Sequence, residues 1–382
     1  MQENRSDKSS HMRIACLDGL RGLAALWVLV GHAHLLTGFR VPILASPDLG
    51  VDLFILLSGF LMVFHYQLRR DREPWESPAT WASFWLRRFF RIAPLYYVLL
   101  FVALALGPVI YEARMVIDAF NGVHPQAASR YLDGSVTNHL AHMSFLYGLH
   151  PNFAYRTPLP DWSIGLEMQF YAALPFIMLL VGFFGWARGL AGVVAGGVAL
   201  AILADRAGVH FPMPAFLPLK LHVFAAGMLM AAALFWEKRK AWLALAAALL
   251  LVLIPIGGEM GRLHEGVRLL IVTGFFALVH ARHLPGRLAA PLTRLGDLLG
   301  NRFFHLLGEL SFGAYLIHLL IMQPVIAFLI THGNFSNPVR FALSLLVTIP
   351  VVYGLAFLGY RFIEVPGQKL GRMVLKRKPA AA

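Results

Sequence analysis

Residues 14–36 read IACLDGLRGLAALWVLVGHAHLL, an apolar run interrupted by one arginine, Arg21. A helix of this length crosses the hydrocarbon core of a bilayer. Apolar side chains surround the whole helix instead of forming one stripe, so the surrounding medium must also be apolar. Arg21 is the exception. A guanidinium deep in a spanning helix costs roughly 2.5–3.5 kcal/mol even on lenient insertion scales, so Arg21 must face the bundle interior, a polar cavity or an anionic ligand. His32 follows eleven residues later. Eleven residues make about three turns, which puts both side chains on one stripe roughly 16 Å apart.

The rest of the chain follows the same pattern. Hydrophobic residues make up 58% of the 382 and charged residues 14%, against about 25% charged in an ordinary soluble chain. Apolar runs fall near 14–36, 49–68, 88–108, 162–184, 187–204, 215–235, 241–257, 265–282, 307–331 and 340–363. Open sheets in lipid would leave backbone groups unpaired, so the expected fold is all-α, a polytopic bundle of about ten spans. The net charge of +13 is concentrated in short connectors. That is topological charge, and it argues against nucleic acid as a partner. Arg5, Lys8, Arg13, Arg69, Arg70, Arg188, Lys238, Arg282, Lys376 and Lys378 fall on one face of a ten-span arrangement, and fewer cations fall on the other. Both termini are therefore expected in the cytoplasm, with the protein in a plasma membrane, bacterial inner membrane being the natural case. The single Cys16 rules out an internal disulfide.

The expected organisation is a polar segment at 1–12, a membrane domain at 13–370 and a basic tail at 371–382. The run starting near Ile14 is too long for a signal peptide and has no cleavage site, so it counts as the first span. One long extracytoplasmic connector, about 109–160, reads as a folded cap with short interfacial helices. His139 and His142 within it share a helical face but have no nearby carboxylate or cysteine, so no metal site is expected.

Several other polar groups lie inside apolar runs. Asp52, in GVDLFILLSGF, and Glu167, in DWSIGLEMQFYAALP, both sit just inside their spans from the outer side. Glu167 and His32 are expected at a common depth, and either carboxylate is a candidate to orient the imidazole and stabilise its charged form. Asp161 or Ser163 is the expected cap of the fourth span. Ser58 and Gly59 permit close approach of a helix or ligand. In FWLRRFFRIAPLYY, Arg87, Arg88 and Arg91 stand at the opposite, cytoplasmic mouth, with Arg88 and Arg91 on one helical face. Guanidinium forks suit phosphate. His318 lies mid-span beside Tyr315, and Glu364 ends the last span.

Taken together, these segments resemble the acyltransferase-3 family of membrane O-acyltransferases over about 13–370. LDGLRGLAALWVLVGH resembles its arginine–histidine signature in Arg21 and His32. RRFFRIAPLYY contains an RxxR element in Arg88 and Arg91, and WSIGLEMQFYAALP resembles its W-S-x-x-x-E-x-x-F-Y segment. GVDLFILLSGFLM, SFGAYLIH and FIEVP resemble further pieces in the same order. The resemblance implies transfer of an acyl group, usually acetyl, from cytoplasmic acyl-CoA to an acceptor on the far side, commonly a carbohydrate or glycolipid. It implies His32 as general base, oriented by Glu167 or Asp52, with Arg21, Arg87, Arg88 and Arg91 binding the donor. Tyr315, His318 and Trp162 are expected on the acceptor side. Some relatives carry an extra extracytoplasmic esterase-like domain, which is not expected here. The alternative class is a transporter or flippase for a glycan or lipid, because intramembrane charge also marks substrate paths.

Overall fold

The computed structural model describes residues 14, 16–258, 261–281 and 284–377. The expected polar segment 1–12 and the topological charges Arg5, Lys8, Arg13, Arg282 and Lys378 lie outside the described residues. The fold is all-helical among those described, as a lipid-embedded chain requires. Its helices are α1 (Cys16–Thr37), α2 (Pro47–Arg69), α3 (Pro78–Asn121), α4 (Val136–Met143), α5 (Trp162–Arg206), α6 (Leu221–Ala233) and α7 (Lys238–Val252). They continue as α8 (Arg262–Val279), α9 (Gly286–Leu299), α10 (Arg302–His332), α11 (Asn337–Gly359) and α12 (Val365–Arg377). Among the described residues, six helical segments are long and apolar enough to cross a membrane: Cys16–Thr37, Pro47–Arg69, Pro78–Asn121, Trp162–Arg206, Arg302–His332 and Asn337–Lys376. The protein is a multi-pass membrane protein.

Five of the ten expected runs take other forms. The fourth and fifth belong to α5, which breaks at Gly185, where φ is 79°. Gly189 packs against Leu180 and Val181. A straight helix would hold those positions about 13 Å apart, so the chain doubles back at Gly185. The sixth run becomes α6, thirteen residues that are all buried, too short to cross alone and enclosed by its neighbours. The seventh and eighth form α7 and α8, neither of which is among the six.

Two connectors also fold differently. Pro108 does not end the third helix, which runs on to Asn121 and stops at Gly122, a left-handed cap with φ 63°. An Arg114–Asp118 pair one turn apart, 2.7 Å, supports that extension. The cap is therefore shorter than expected, occupying the stretch after Gly122 with Ser129–Leu132, α4 and a 3-10 turn at Tyr147–Leu149. After α8 the chain forms α9, whose Leu288, Leu295 and Leu298 are exposed beside Arg287 and Arg294. Such an amphipathic helix suits a membrane surface.

The core centres on α10, which packs on α1, α3 and α11, while α2 packs on α6 and α6 on α7. Glycines set the two closest crossings. A side chain at Gly308 would strike the Asp18 carbonyl of α1, and one at Gly227 would strike the Leu56 carbonyl of α2. Without a hydrophobic drive between helices in lipid, such close backbone contact is a principal source of association. The result brings α1, α2, α3, α5 and α10 around a common interior. The cap lies at one end and Arg88 and Arg91 at the other, here called the basic end.

Candidate active site

At the basic end, α1, α2, α3 and α12 enclose a cavity of about 560 Å³. Arg21, Arg87, Arg88, Arg91 and Arg372 border it, with Asp18, His65 and Gln368. The charges are not equally available. Arg87 forms a two-pronged pair with Glu73 at 2.9 and 2.6 Å, so this expected donor-binding fork is already engaged. Asp18 lies 3.0 Å from the ring of His305. Arg88 lies over the faces of Phe84 and Tyr171, 5.8 and 5.5 Å from the ring centroids, and its Nε is buried without a partner. Arg21, Arg88, Arg91 and Arg372 form no ion pair with a carboxylate among the described residues. Four guanidiniums around one recess suit a ligand with several negative charges.

Arg21 also borders a second, smaller chamber of about 50 Å³ deeper in the bundle. Ser58, Ser163, Glu167, Ser311 and Tyr315 line it with Phe54 and Phe224. One carboxylate oxygen of Glu167 accepts from Ser58 at 2.7 Å and from Tyr171 in a short bond. Tyr171 lies one turn along from Glu167 and carries Arg88 on its ring, so the carboxylate is tied to the arginine layer. Tyr315 closes the far end, donating to Pro160 O at 2.6 Å and lying 2.8 Å from the Ser163 hydroxyl.

His32 and His318 sit just beyond that end. His318 Nε2 is 3.1 Å from His32 Nδ1. His318 Nδ1 is 2.6 Å from Tyr315 O, and His32 Nδ1 is 2.9 Å from Val28 O. Backbone carbonyls only accept, so each Nδ1 carries a hydrogen. The single Nδ1 hydrogen of His32 is then shared between Val28 O and His318 Nε2, and His32 keeps its Nε2 lone pair, as a general base must. His318 is fully buried, whereas the His32 ring is only partly so.

The expected carboxylate neighbours of His32 lie elsewhere. Asp52 is 3% exposed and holds Lys220 Nζ at 2.9 Å and Arg268 through its other oxygen. A carboxylate removed from water takes the strongest cations within reach, and these two are themselves buried. Glu167 is not level with His32. Ser163, one turn nearer the cap, already meets Tyr315, and His318 lies three residues further towards the cap. Counting turns from helix ends misplaced it because the cap covers the start of α5 while α1 continues to Thr37. Trp162 is buried at that start and does not border the chamber. Glu364 is buried, with Oε1 unpaired, in a π-turn at Tyr360–Glu364.

In the cap, Asp161 stands at the N-cap position, but its side chain does not cap α5. It accepts from Tyr96 at 3.1 Å and lies 3.7 Å from His142 Nε2. Burial raises the Asp161 carboxyl above its ordinary value, opposed by His142. Burial likewise lowers the Arg130 guanidinium to about 10, where it stacks on Tyr155 with 3.6 Å from cation to ring centroid. His142 stacks on Tyr147, and His139 is half-buried and bonded to Ser135 O, so the two do not converge. No group of three His, Cys, Asp or Glu side chains among the described residues is arranged to hold a metal.

Sequence reasoning missed Tyr171, although its spacing from Glu167 was visible, Gln368, which nothing local marked, and Arg372, which looked like topological charge. The boundary expected at 370 falls inside the continuous α12.

An "Acyltransferase domain" family model matches residues 14–357. The chain belongs to this acyltransferase-3 family. It is 24% identical over 399 residues to a Staphylococcus aureus (strain COL) protein named "Putative O-acetyltransferase", a match covering 95% of this chain and 59% of that one. It is 25% identical over 190 residues to "Peptidoglycan O-acetyltransferase OatA" of Listeria monocytogenes, covering 48% of this chain and 27% of the relative. The chain thus spans about 59% of the length of the first of these curated relatives. No solved structure matches it significantly.

Proposed function

We propose that this protein is a membrane O-acyltransferase that moves an acyl group, acetyl in the simplest case, from acyl-CoA to a hydroxyl of a glycan acceptor. The observation that carries the reading is the recess of four unpaired guanidiniums, Arg21, Arg88, Arg91 and Arg372, which meets an inner chamber at Arg21. The phosphates of CoA dock on that recess, on the cytoplasmic side. The pantetheine arm passes Arg21 and brings the thioester below Tyr315. The peptidoglycan named for the Listeria relative favours a carbohydrate acceptor reaching the cap end.

In the proposed step, His32 Nε2 takes the hydroxyl proton as that oxygen attacks the thioester carbonyl. A carbon–oxygen bond forms, the carbon–sulfur bond breaks, and the imidazolium returns the proton to the leaving thiolate. His318 supports the His32 tautomer, the part first expected of a carboxylate. Glu167 holds Ser58 and Tyr171 at the neck between the recess and the chamber. Direct transfer needs no acyl-enzyme, and Cys16 lies about four and a half turns from His32 towards the basic end, across the helix from the acyl path.

The test is incubation of the purified protein in lipid nanodiscs with labelled acetyl-CoA and glycan fragments. Acceptor-dependent release of CoA with label on the glycan is the expected result. Movement of an intact glycan across proteoliposomes without CoA consumption would replace this reading with a transporter.

A further inference from the structure

Gln368 and Arg372, the part of the recess wall formed by α12, lie beyond residues 14–357 that the family model matches. The position of α12 depends on two glycines. A β-carbon on Gly367 would come within 2.6 Å of Pro94 Cγ, and one on Gly371 within 2.7 Å of Phe90 Cβ. Gly367 and Gly371 are one turn apart, as are Phe90 and Pro94, so the two helices meet in step. The next residues along, Gln368 and Arg372, are also one turn apart, and both border the recess.

The same register gives their depth. Residue numbers rise inward along α3 and outward along α12, because Gly367 faces Phe90 and Pro94 while Gly371 faces Phe90 alone. Gln368 is therefore the inner of the pair and Arg372 the one nearer the mouth. Arg21, which borders both cavities, is the innermost cation. The recess has an inner group, Arg21 and Arg91, and an outer wall formed by Arg372.

CoA carries its charge in two places, a diphosphate adjoining the pantetheine arm and a monoester on the ribose 3′ oxygen. With the arm pointing inward, the diphosphate lies deeper and the monoester nearer the mouth. We infer that Arg372 and Gln368 form a separate subsite for the ribose 3′-phosphate, while Arg21 and Arg91, the inner group, hold the diphosphate. This rests on the acyl-CoA reading above. A phosphate monoester approaches two negative charges at neutral pH. A guanidinium fork with a neighbouring amide N–H suits it.

The experiment is calorimetric titration of the full chain in nanodiscs with CoA and with 3′-dephospho-CoA, using wild type, Arg372→Ala, Gln368→Ala and Arg91→Ala. Arg372 is exposed, so its truncation leaves the fold intact. Wild type is expected to prefer CoA about tenfold, roughly one charge-assisted contact. Arg372→Ala should remove that preference while leaving dephospho-CoA affinity unchanged, and Gln368→Ala should reduce it. Arg91→Ala should weaken both nucleotides equally. A preference retained in Arg372→Ala, or equal weakening of both ligands by it, overturns the subsite alone. Failure of wild type to bind either nucleotide overturns the acyl-CoA reading and the subsite with it.

Discussion

His318 presents Nε2 to Nδ1 of His32 at 3.1 Å, and the carbonyls of Tyr315 and Val28 fix which nitrogens carry hydrogen. A buried imidazole thus stands where a carboxylate commonly supports a catalytic histidine. It can orient the ring, but it supplies no negative charge to stabilise the imidazolium.

His32→Ala is expected to lower acyl transfer by about 10²–10⁴-fold, the usual contribution of a general base. His318→Ala should lower turnover about a hundredfold through misorientation of the base, with the donor KM unchanged. His318→Gln, whose amide oxygen accepts the same hydrogen, should recover part of the loss. Steady-state CoA release measures all three, and wild-type turnover in His318→Ala would remove the pair from the mechanism.

The Tyr171 hydroxyl donates to Glu167 while its ring carries Arg88. Tyr171→Phe removes the first contact and keeps the second, costing about 1.5–3 kcal/mol as the loss of a hydrogen bond to a charged group. Tyr171→Leu removes both and should also weaken CoA binding. Thermal unfolding alongside calorimetry separates these effects; identical behaviour of the two variants would mean that the ring contact contributes nothing.

Asp52 is the shared counter-ion of two buried cations, Lys220 and Arg268. Asp52→Asn leaves both without a counter-charge and is expected to destabilise the protein by about 3–5 kcal/mol. Denaturant unfolding in detergent provides the check, and an unchanged midpoint would show that the triad does not hold α2, α6 and α8 together.

Burial raises the Asp161 carboxyl above its unfolded value. A raised folded value means that the stability linked to this group is fully present below the ordinary carboxylate range and is lost as pH rises through the elevated one. Asp161→Asn cannot ionise and should flatten that part of the stability–pH curve. Melting curves of both proteins from acid to neutral pH report the difference, and parallel curves would exclude Asp161 as its source.

The bundle was legible because lipid demands long apolar runs, and the Gly185 break fell between two of them. Gly122 was the true end signal of α3, beyond position 108 where the third apolar run was expected to stop. At the site, Arg21 and His32 stood out because a polar group in an apolar helix requires a reason. Their neighbours did not. Which of Asp52, Glu167 and His318 meets His32 depends on helix rotation and on where the cap seats the start of α5, and neither is encoded in spacing along one helix. Lys220 and Arg268 are far from Asp52 in sequence, so nothing local marked them as its partners. Arg372 was hidden because a cation serves topology equally well, and Gln368 because a lone amide after the last span marks nothing.

The helix that ends at Gly122 is 44 residues long. At 1.5 Å per residue it measures about 66 Å, more than twice the roughly 30 Å of a bilayer core. Arg88 and Arg91 are near its start, while Asn121 at its far end reaches the backbone of α1 at Leu36. One helix therefore links the basic recess to the cap end of the bundle, so that a tilt imposed at one end is carried along it towards the other.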